Sequence, residues 1–278
     1  MSALYLVSTP IGNLDDITVR ATRVLATVDR VLAEDTRRTR VLLNHLGIQV
    51  PTVSLHAHNE ASRVETVLAW LEAGEDLALV SDAGTPLVSD PGSRLVQAVV
   101  EADHGVVPIP GPSAVLAALV GSALPSDRFT FLGFTPRKGQ ERSDFLHRVA
   151  AAGETTVLFE SPARLERTLA DLAEACGGDR EAAVARELTK IHESFHRGTL
   201  DEARAYYEQH PPRGEVTVVV APARAPAAEA ADTEARAREL AESLLAQGLR
   251  SSQVAREVAE QLGVPRNLAY RIVHSVAD

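Results

Sequence analysis

Residues 81–92 of this 278-residue chain bring serine, aspartate, threonine, glycine and proline together directly after the apolar run at 77–80. An apolar run that enters a turn of this composition predicts a strand that ends in a loop. Open α/β sheets bind ligands at the carboxyl ends of their strands, so this loop is a candidate ligand site. The competing interpretation is a surface connection between a strand and a helix.

A second stretch, residues 34–40, reads Glu-Asp-Thr-Arg-Arg-Thr-Arg and so places three arginines beside two acids. Such runs often form a solvated face of salt bridges on a helix. At the carboxyl edge of a strand, the same guanidinium groups would instead bind phosphate, which arginine can contact in a bidentate way.

The elements that must position these residues alternate regularly over the first part of the chain. Apolar runs predict strands at 4–7, 30–34, 53–55, 77–80 and 106–109, and helical patterns separate them. This alternation predicts an α/β domain with a mostly parallel sheet over residues 1–122. A second α/β domain is expected over 123–221, with strands at 129–134, 156–159, 182–186 and 215–220 and with pairing that can be mixed.

The C-terminal part differs in composition. Residues 222–233 are rich in alanine and proline and are expected to form a linker, and three short amphipathic helices are expected within 234–278. They would span about 234–246, 251–262 and 266–276. A helix, a tight turn and a second helix that carries arginines together indicate a helix-turn-helix-like module. A helical bundle that makes protein contacts or braces a dimer is an equal alternative.

Composition excludes several classes of protein. The net charge of −10 argues against strong non-specific binding of nucleic acid. The sequence contains no Gly-Lys-Ser/Thr and no Gly-x-Gly, which excludes a Walker-type nucleotide hydrolase and the usual dinucleotide fingerprint. One cysteine, Cys176, allows no intrachain disulfide and fits a reducing cytoplasm, and no membrane span is expected.

Five segments in this order resemble one known family. They are residues 8–14, 33–39, 81–92, 110–114 and 186–190. The pattern is similar to that of the 16S ribosomal RNA cytidine 2′-O-methyltransferases, which belong to the tetrapyrrole methylase superfamily. The resemblance covers residues 4–220, and the C-terminal helical module also has its counterpart in the family.

The resemblance implies two α/β domains of the tetrapyrrole methylase type with S-adenosylmethionine in the cleft between them, and a homodimer. It implies methylation of a cytidine in the decoding region of 16S rRNA, within the assembled 30S subunit. No metal is expected. Transferred position by position, the expected cofactor contacts are Pro10, Gly12, Ser81, Asp82, Ala83, Gly84, Thr85, Leu87, Ser113, Ala114, Phe159 and Leu188.

With a ribose as the substrate, we favour RNA phosphate as the partner of the arginine block. The expected RNA contacts are Arg37, Arg38, Arg40, Arg137 and Lys138.

A base that accepts the hydroxyl proton would assist methyl transfer. Glu187 and Lys190 are the candidates, although a lysine must lose its charge to act as a base. Asp35 and Glu60 are alternatives.

Two other functions fit parts of the sequence. A methylase of small tetrapyrroles would share the fold and the cofactor, but it would need an open apolar trough instead of an arginine block. A non-enzymatic DNA-binding regulator with a ligand-sensing domain would rest on the C-terminal module alone.

Overall fold

The computed structural model describes residues 2–223 and 227–277. Contacts divide the chain into two compact units, Met1–Ala223 and Arg224–Asp278. Within the described residues, no helix combines the length and the hydrophobicity that crossing a bilayer requires. The expected linker at 222–233 falls partly on residues 224–226, which lie outside the described residues.

The first sheet is entirely parallel, as expected, and its strands lie in the order β3-β2-β4-β1-β5. Its strands are β1 (Ala3–Val7), β2 (Arg30–Ala33), β3 (Thr52–Ser54), β4 (Leu77–Val80) and β5 (Gly105–Ile109). The connecting helices are α1 (Val19–Thr27), α2 (Thr36–His45), α3 (Glu60–Glu72), α4 (Ser93–Glu101) and α5 (Ala114–Gly121). Because β2, β4, β1 and β5 are neighbours, the loops that follow them line one continuous edge of the sheet.

The second sheet is mixed, with the order β6-β7-β10-β8-β9. The β6–β7 pair is parallel and the other three pairs are antiparallel. Its strands are β6 (Phe129–Phe134), β7 (Thr155–Glu160), β8 (Glu181–Arg186), β9 (Ser194–Thr199) and β10 (Val216–Val220). Helices α6 (Gly139–Ala151), α7 (Leu165–Cys176) and α8 (Leu200–Gln209) complete this lobe; β9, α6 and α8 were not among the expected elements.

Helix α5 joins the two lobes of the first unit. Its buried residues Val115, Ala118 and Leu119 belong to one apolar cluster with Val157 of β7 and Val219 of β10. The first lobe therefore packs directly on the second sheet through a helix that follows β5. This packing fixes the carboxyl edge of the first sheet against the second lobe.

A buried polar network stabilises the second lobe at the end of β7. The Glu160 carboxylate is fully buried; it accepts a hydrogen bond from Thr168 Oγ1 (2.6 Å) and pairs with Arg164 (2.6 Å). Arg142, also buried, donates to Thr168 Oγ1 (3.0 Å) and pairs with Asp171 (2.7 Å). Each charged group has an opposite partner, which is what a buried charge requires.

The C-terminal unit is a three-helix bundle built from α9 (Ala227–Ala246), α10 (Ser251–Leu262) and α11 (Arg266–Ala277). Its core includes Val254 and Val258 of α10 and Ile272 of α11. The second and third helices agree with the sequence expectation. The first begins at Ala227 and not near position 234, because alanine and glutamate favour helix wherever no breaker intervenes.

We predict that Glu160→Ala lowers the free energy of unfolding by about 3 kcal/mol, because it leaves the charge of Arg164 without its buried partner. Urea denaturation followed by circular dichroism measures this change. Glu174→Ala, on the exposed side of α7, is the matched control and should change stability by less than about 0.5 kcal/mol. Equal effects of the two substitutions would contradict the role of the network.

Candidate functional site

Three loops at the carboxyl edge of the first sheet are held together by hydrogen bonds. Thr9, after β1, pairs with Gly84 through two backbone bonds, Thr9 N to Gly84 O (2.9 Å) and Gly84 N to Thr9 O (3.0 Å). Ser8 Oγ donates to Thr85 Oγ1 (3.2 Å), which donates to the carbonyl of Pro112 after β5 (3.3 Å). The loops after β1, β4 and β5 therefore form one preorganised surface.

The loop after β4 holds an unusual backbone conformation. Leu87 and Ser89 have positive φ angles of 73° and 68°, and Gly92 has φ 124°. A non-glycine residue in the left-handed region costs of the order of 1–3 kcal/mol and persists where the surrounding structure enforces it. Such strain clusters at ligand sites, which favours the binding interpretation of residues 81–92 over a simple surface connection.

The turn between β2 and α2 orients the arginines. The Asp35 carboxylate caps α2 by accepting from Arg37 N (2.9 Å) and also accepts from the Arg37 side chain, Nη2 to Oδ2 at 2.7 Å. These hydrogen bonds hold the pKa of Asp35 well below its usual range. Arg38 instead lies near Asp82 of the β4 loop, with Nη1 and Oδ2 3.4 Å apart. Arg40 lines the far side of α2, beside residues 48–51.

A carboxyl pair also lies at this edge, and its members come from different strands. Burial raises the pKa of Asp90 to about 6, and the negative charge of Glu34 adds to that shift. Burial also raises the pKa of Glu34, and the charge of Asp82 contributes. Both carboxyls therefore bind a proton more readily than free ones. The sequence does not predict this pair, because nothing in it places Glu34, after β2, near Asp90, in the loop after β4.

The second lobe contacts the loop after β1 through the turn that follows β8. Asn13 N donates to Thr189 Oγ1 (3.0 Å). A Cβ atom on Gly12 would lie 3.0 Å from the carbonyl oxygen of Leu188 and would overlap the side chain of Lys190. Leu188 itself is buried in the same cluster as Ile11. Gly12 therefore lies directly against the second lobe, with no room for a side chain.

Glu187 and Lys190 form an ion pair in the turn that follows β8. Glu187 Oε1 accepts from Lys190 Nζ (2.8 Å) and from Glu215 N (2.9 Å), and these bonds lower the pKa of Glu187. Burial alone would lower the pKa of Lys190, but its bonds to Glu187 and Glu215 outweigh burial and raise it. A lysine base needs the opposite shift, so this geometry argues against Lys190 as a base.

Two alternative bases are engaged in local structure. The Asp35 carboxylate caps α2, as described above. Glu60 Oε1 accepts from Leu95 N (3.1 Å) in the first turn of α4, so this carboxylate stabilises a helix N-terminus.

The remaining expected residues lie at separate points. Phe159 packs against Phe131 and Phe134, with ring centroids 4.8 and 5.3 Å away. Ser113 caps α5, which begins at Ala114. Arg137 and Lys138 lie between β6 and α6, and Lys138 lines a groove between α6 and α7.

Comparison with known proteins agrees with this architecture. A family model described as Tetrapyrrole (Corrin/Porphyrin) Methylases matches residues 3–204. A protein of Synechocystis sp. named Ribosomal RNA small subunit methyltransferase I is 48% identical, over 98% of this chain and 97% of its own length. Proteins of the same name from Escherichia coli O157:H7 and Bacillus subtilis are 44% and 40% identical, over 96% and 99% of this chain and 93% and 94% of their own lengths.

Solved structures show the same fold at low sequence identity. The cobalt precorrin-4 methyltransferase CbiF superposes with a TM-score of 0.61 at 18% identity, over 79% of this chain and 94% of its own. A uroporphyrin-III C-methyltransferase from Thermus thermophilus, complexed with S-adenyl homocysteine, superposes with a TM-score of 0.58 at 18% identity, over 79% of this chain and 97% of its own. The chain therefore belongs to the tetrapyrrole methylases and, within them, to the ribosomal RNA small subunit methyltransferase I family.

Proposed function

We propose that this chain transfers a methyl group from S-adenosylmethionine to the 2′-hydroxyl of a cytidine in the decoding region of 16S rRNA. The observation that carries the proposal is the identity of 40–49% to relatives named as rRNA methyltransferases, over nearly the whole chain. The tetrapyrrole alternative rests on solved structures of tetrapyrrole methyltransferases at 18–20% identity, which share the fold alone. The arginines on α2 favour RNA over a tetrapyrrole.

The hydrogen-bonded loops after β1, β4 and β5 fit the cofactor. When bound, S-adenosylmethionine supplies an electrophilic methyl group on a sulfonium. The backbone of residues 8–12, 81–87 and 112–114 would hold its polar ends, because the mutual hydrogen bonds of these loops fix their remaining backbone groups in place. Phe159 and Leu188 of the second lobe would cover the adenosine. The proposed contacts remain those expected from the sequence.

Methyl transfer depends mainly on orientation, since a displacement needs the attacking oxygen in line with the bond that breaks. The rigid contact of Gly12 and Asn13 with the second lobe would hold the two sides of the cleft at a fixed spacing. We propose Glu187 as the group that accepts the hydroxyl proton, since its carboxylate is ionised and fixed by two donors. Those donors lower its pKa, so Glu187 would act as a weak base whose contribution comes from its position. Lys190, which stays charged, would position that carboxylate.

We further propose that the chain acts as a homodimer, in the cytoplasm, on the assembled 30S subunit. Support for a dimer comes from Leu116 and Val120, which lie one turn apart on α5 and are 52% and 74% exposed. Apolar residues of this size, side by side on a helix surface, suit a protein interface. Support for the 30S subunit comes from the names of the relatives and from the position of the arginines.

Mapping 2′-O-methylation on 16S rRNA tests the function directly. We expect 30S subunits from a strain without this gene to lack one cytidine mark, and the purified chain with S-adenosylmethionine to restore it. The same subunits incubated with the cofactor alone are the control. Retention of every ribose mark in the deletion strain would refute the proposal.

We predict that Glu187→Gln lowers methyl transfer by at least roughly 100-fold, the usual contribution of a positioned proton acceptor. Calorimetric affinity for S-adenosylmethionine should stay near that of the wild type, because the amide still accepts from Lys190 and Glu215. Glu208→Gln, on the exposed face of α8, is the matched control and should retain full turnover. Wild-type turnover in Glu187→Gln would remove this residue from the mechanism.

We predict that Gly12→Ala weakens cofactor binding by roughly 10-fold or more, since the added methyl would push the loop after β1 away from Leu188 and Lys190. Isothermal titration with S-adenosylmethionine measures this loss. In the control Gly153→Ala, the new methyl meets no atom within 4 Å, so binding should not change. Equal affinities in the two variants would show that the close approach of the lobes is not needed for binding.

A further inference from the structure

A small cavity of about 90 Å³ opens between the loop after β1, helix α2 and the loop after β4. Its apolar lining is formed by Pro10, Leu14, Val41 and Leu42, and the two charged residues that line it are Arg38 and Asp82. Pockets for complete cofactors and drug-sized ligands measure roughly 300–1,000 Å³, so this cavity suits one part of a ligand and not a whole S-adenosylmethionine. A cavity lined by apolar side chains together with a few polar groups suits a heterocycle that carries donors and acceptors on its edge.

Asp82 and Arg38 both have hydrogen-bonding capacity that their contacts within the chain do not fill. Asp82 Oδ1 accepts from Asp35 N (3.0 Å), which fixes the orientation of the carboxylate. Asp82 Oδ2 lies 3.4 Å from Arg38 Nη1, longer than the roughly 2.7–2.9 Å of a strong charge-assisted bond. Arg38 is 65% exposed and carries several further N–H groups. A ligand can therefore receive hydrogen bonds from Arg38 while it donates one to Asp82.

This pairing of an acceptor with a donor matches one nucleobase edge. The Watson–Crick edge of cytosine presents an amino donor beside two acceptors, the ring nitrogen N3 and the carbonyl O2. A carboxylate accepts from the amino group and a guanidinium donates to the acceptors. Uracil presents a carbonyl where cytosine has the amino group and an N–H at N3, so it would face Asp82 and Arg38 with the wrong groups.

The cavity is also placed for the reaction. Pro10 and Ser81, which line it, belong to the loops proposed to hold the cofactor. A base in the cavity would therefore bring its own ribose to the edge where methyl transfer is proposed. Enzymes that modify a nucleotide commonly take the base out of its stack and read its Watson–Crick edge in a pocket.

We propose that this cavity binds the target cytosine, with Asp82 accepting from its amino group and Arg38 donating to its ring nitrogen and carbonyl. The inference rests on the proposed function and adds the residues that select the base. Asp82 would then have two roles: its backbone forms part of the cofactor loop, and its side chain faces the RNA.

The test compares methylation of small subunits that carry either cytidine or uridine at the target position, prepared from a strain without this gene. We expect the wild-type chain to prefer cytidine by roughly 10-fold or more, as a good two-point base contact provides. Arg38→Ala should lower kcat/KM on cytidine and narrow the preference several-fold. Asp82→Asn should also narrow the preference for cytidine over uridine, because an amide can donate to the carbonyl of uracil. Arg204→Ala, which removes an exposed arginine of α8 in the second lobe, is the matched control and should keep the wild-type preference.

Three outcomes decide whether the cavity binds the target cytosine. A narrowed preference in Arg38→Ala and Asp82→Asn, with calorimetric cofactor affinity unchanged, supports the base pocket. Loss of activity on both targets in equal proportion in Arg38→Ala would overturn it, and this variant leaves the bond from Asp35 N to Asp82 intact. Absence of methylation at either target by the wild-type chain would refute the proposed function itself.

Discussion

The buried contact between α5 and the second sheet is the constraint on which the junction of the two lobes depends. Val115 and Leu119 of α5 share one apolar cluster with Ile11, which follows β1, and with Leu188, which follows β8. Each fully buried side chain of this size contributes about 1.5–3 kcal/mol, so the cluster resists separation of the lobes. Because α5 starts at the carboxyl edge of the first sheet, the same packing places the turn at 187–190 over the loop at 8–14.

The contact between the lobes also explains why a glycine occupies position 12 and why Glu187 pairs with Lys190. Gly12 leaves room for the Leu188 carbonyl and the Lys190 side chain, so the loop after β1 can lie directly against the second lobe. Glu187 has φ 51°, and its carboxylate binds Lys190 and the backbone of Glu215. These bonds stabilise a left-handed residue in a turn that must hold its shape. The geometry of the contact between the lobes thus follows from apolar packing first and from local hydrogen bonds second.

The sequence was sufficient to predict the first sheet and the C-terminal helices, but not all of the second sheet. Strands such as β4 are buried on both faces and therefore appear as continuous apolar runs between turn residues. Strand β9, Ser194–Thr199, lies at a sheet edge and contains serine, histidine, arginine and glycine, so neither periodicity nor hydrophobicity marks it. The first turns of α9 were assigned to a linker because its alanines carry no hydrophobic pattern, although alanine favours helix.

Motifs located the candidate site, but tertiary contacts decided the direction of its side chains. Arg37 and Arg38 are neighbours in sequence, yet Asp35 of the same turn binds Arg37 and Asp82 of another loop faces Arg38. A chain of net charge −10 does not attract RNA through its overall field. The acids at this edge instead orient individual guanidinium groups, as Asp35 and Asp82 do. We therefore propose that RNA recognition by this chain depends on a few fixed donors and acceptors and not on its overall charge.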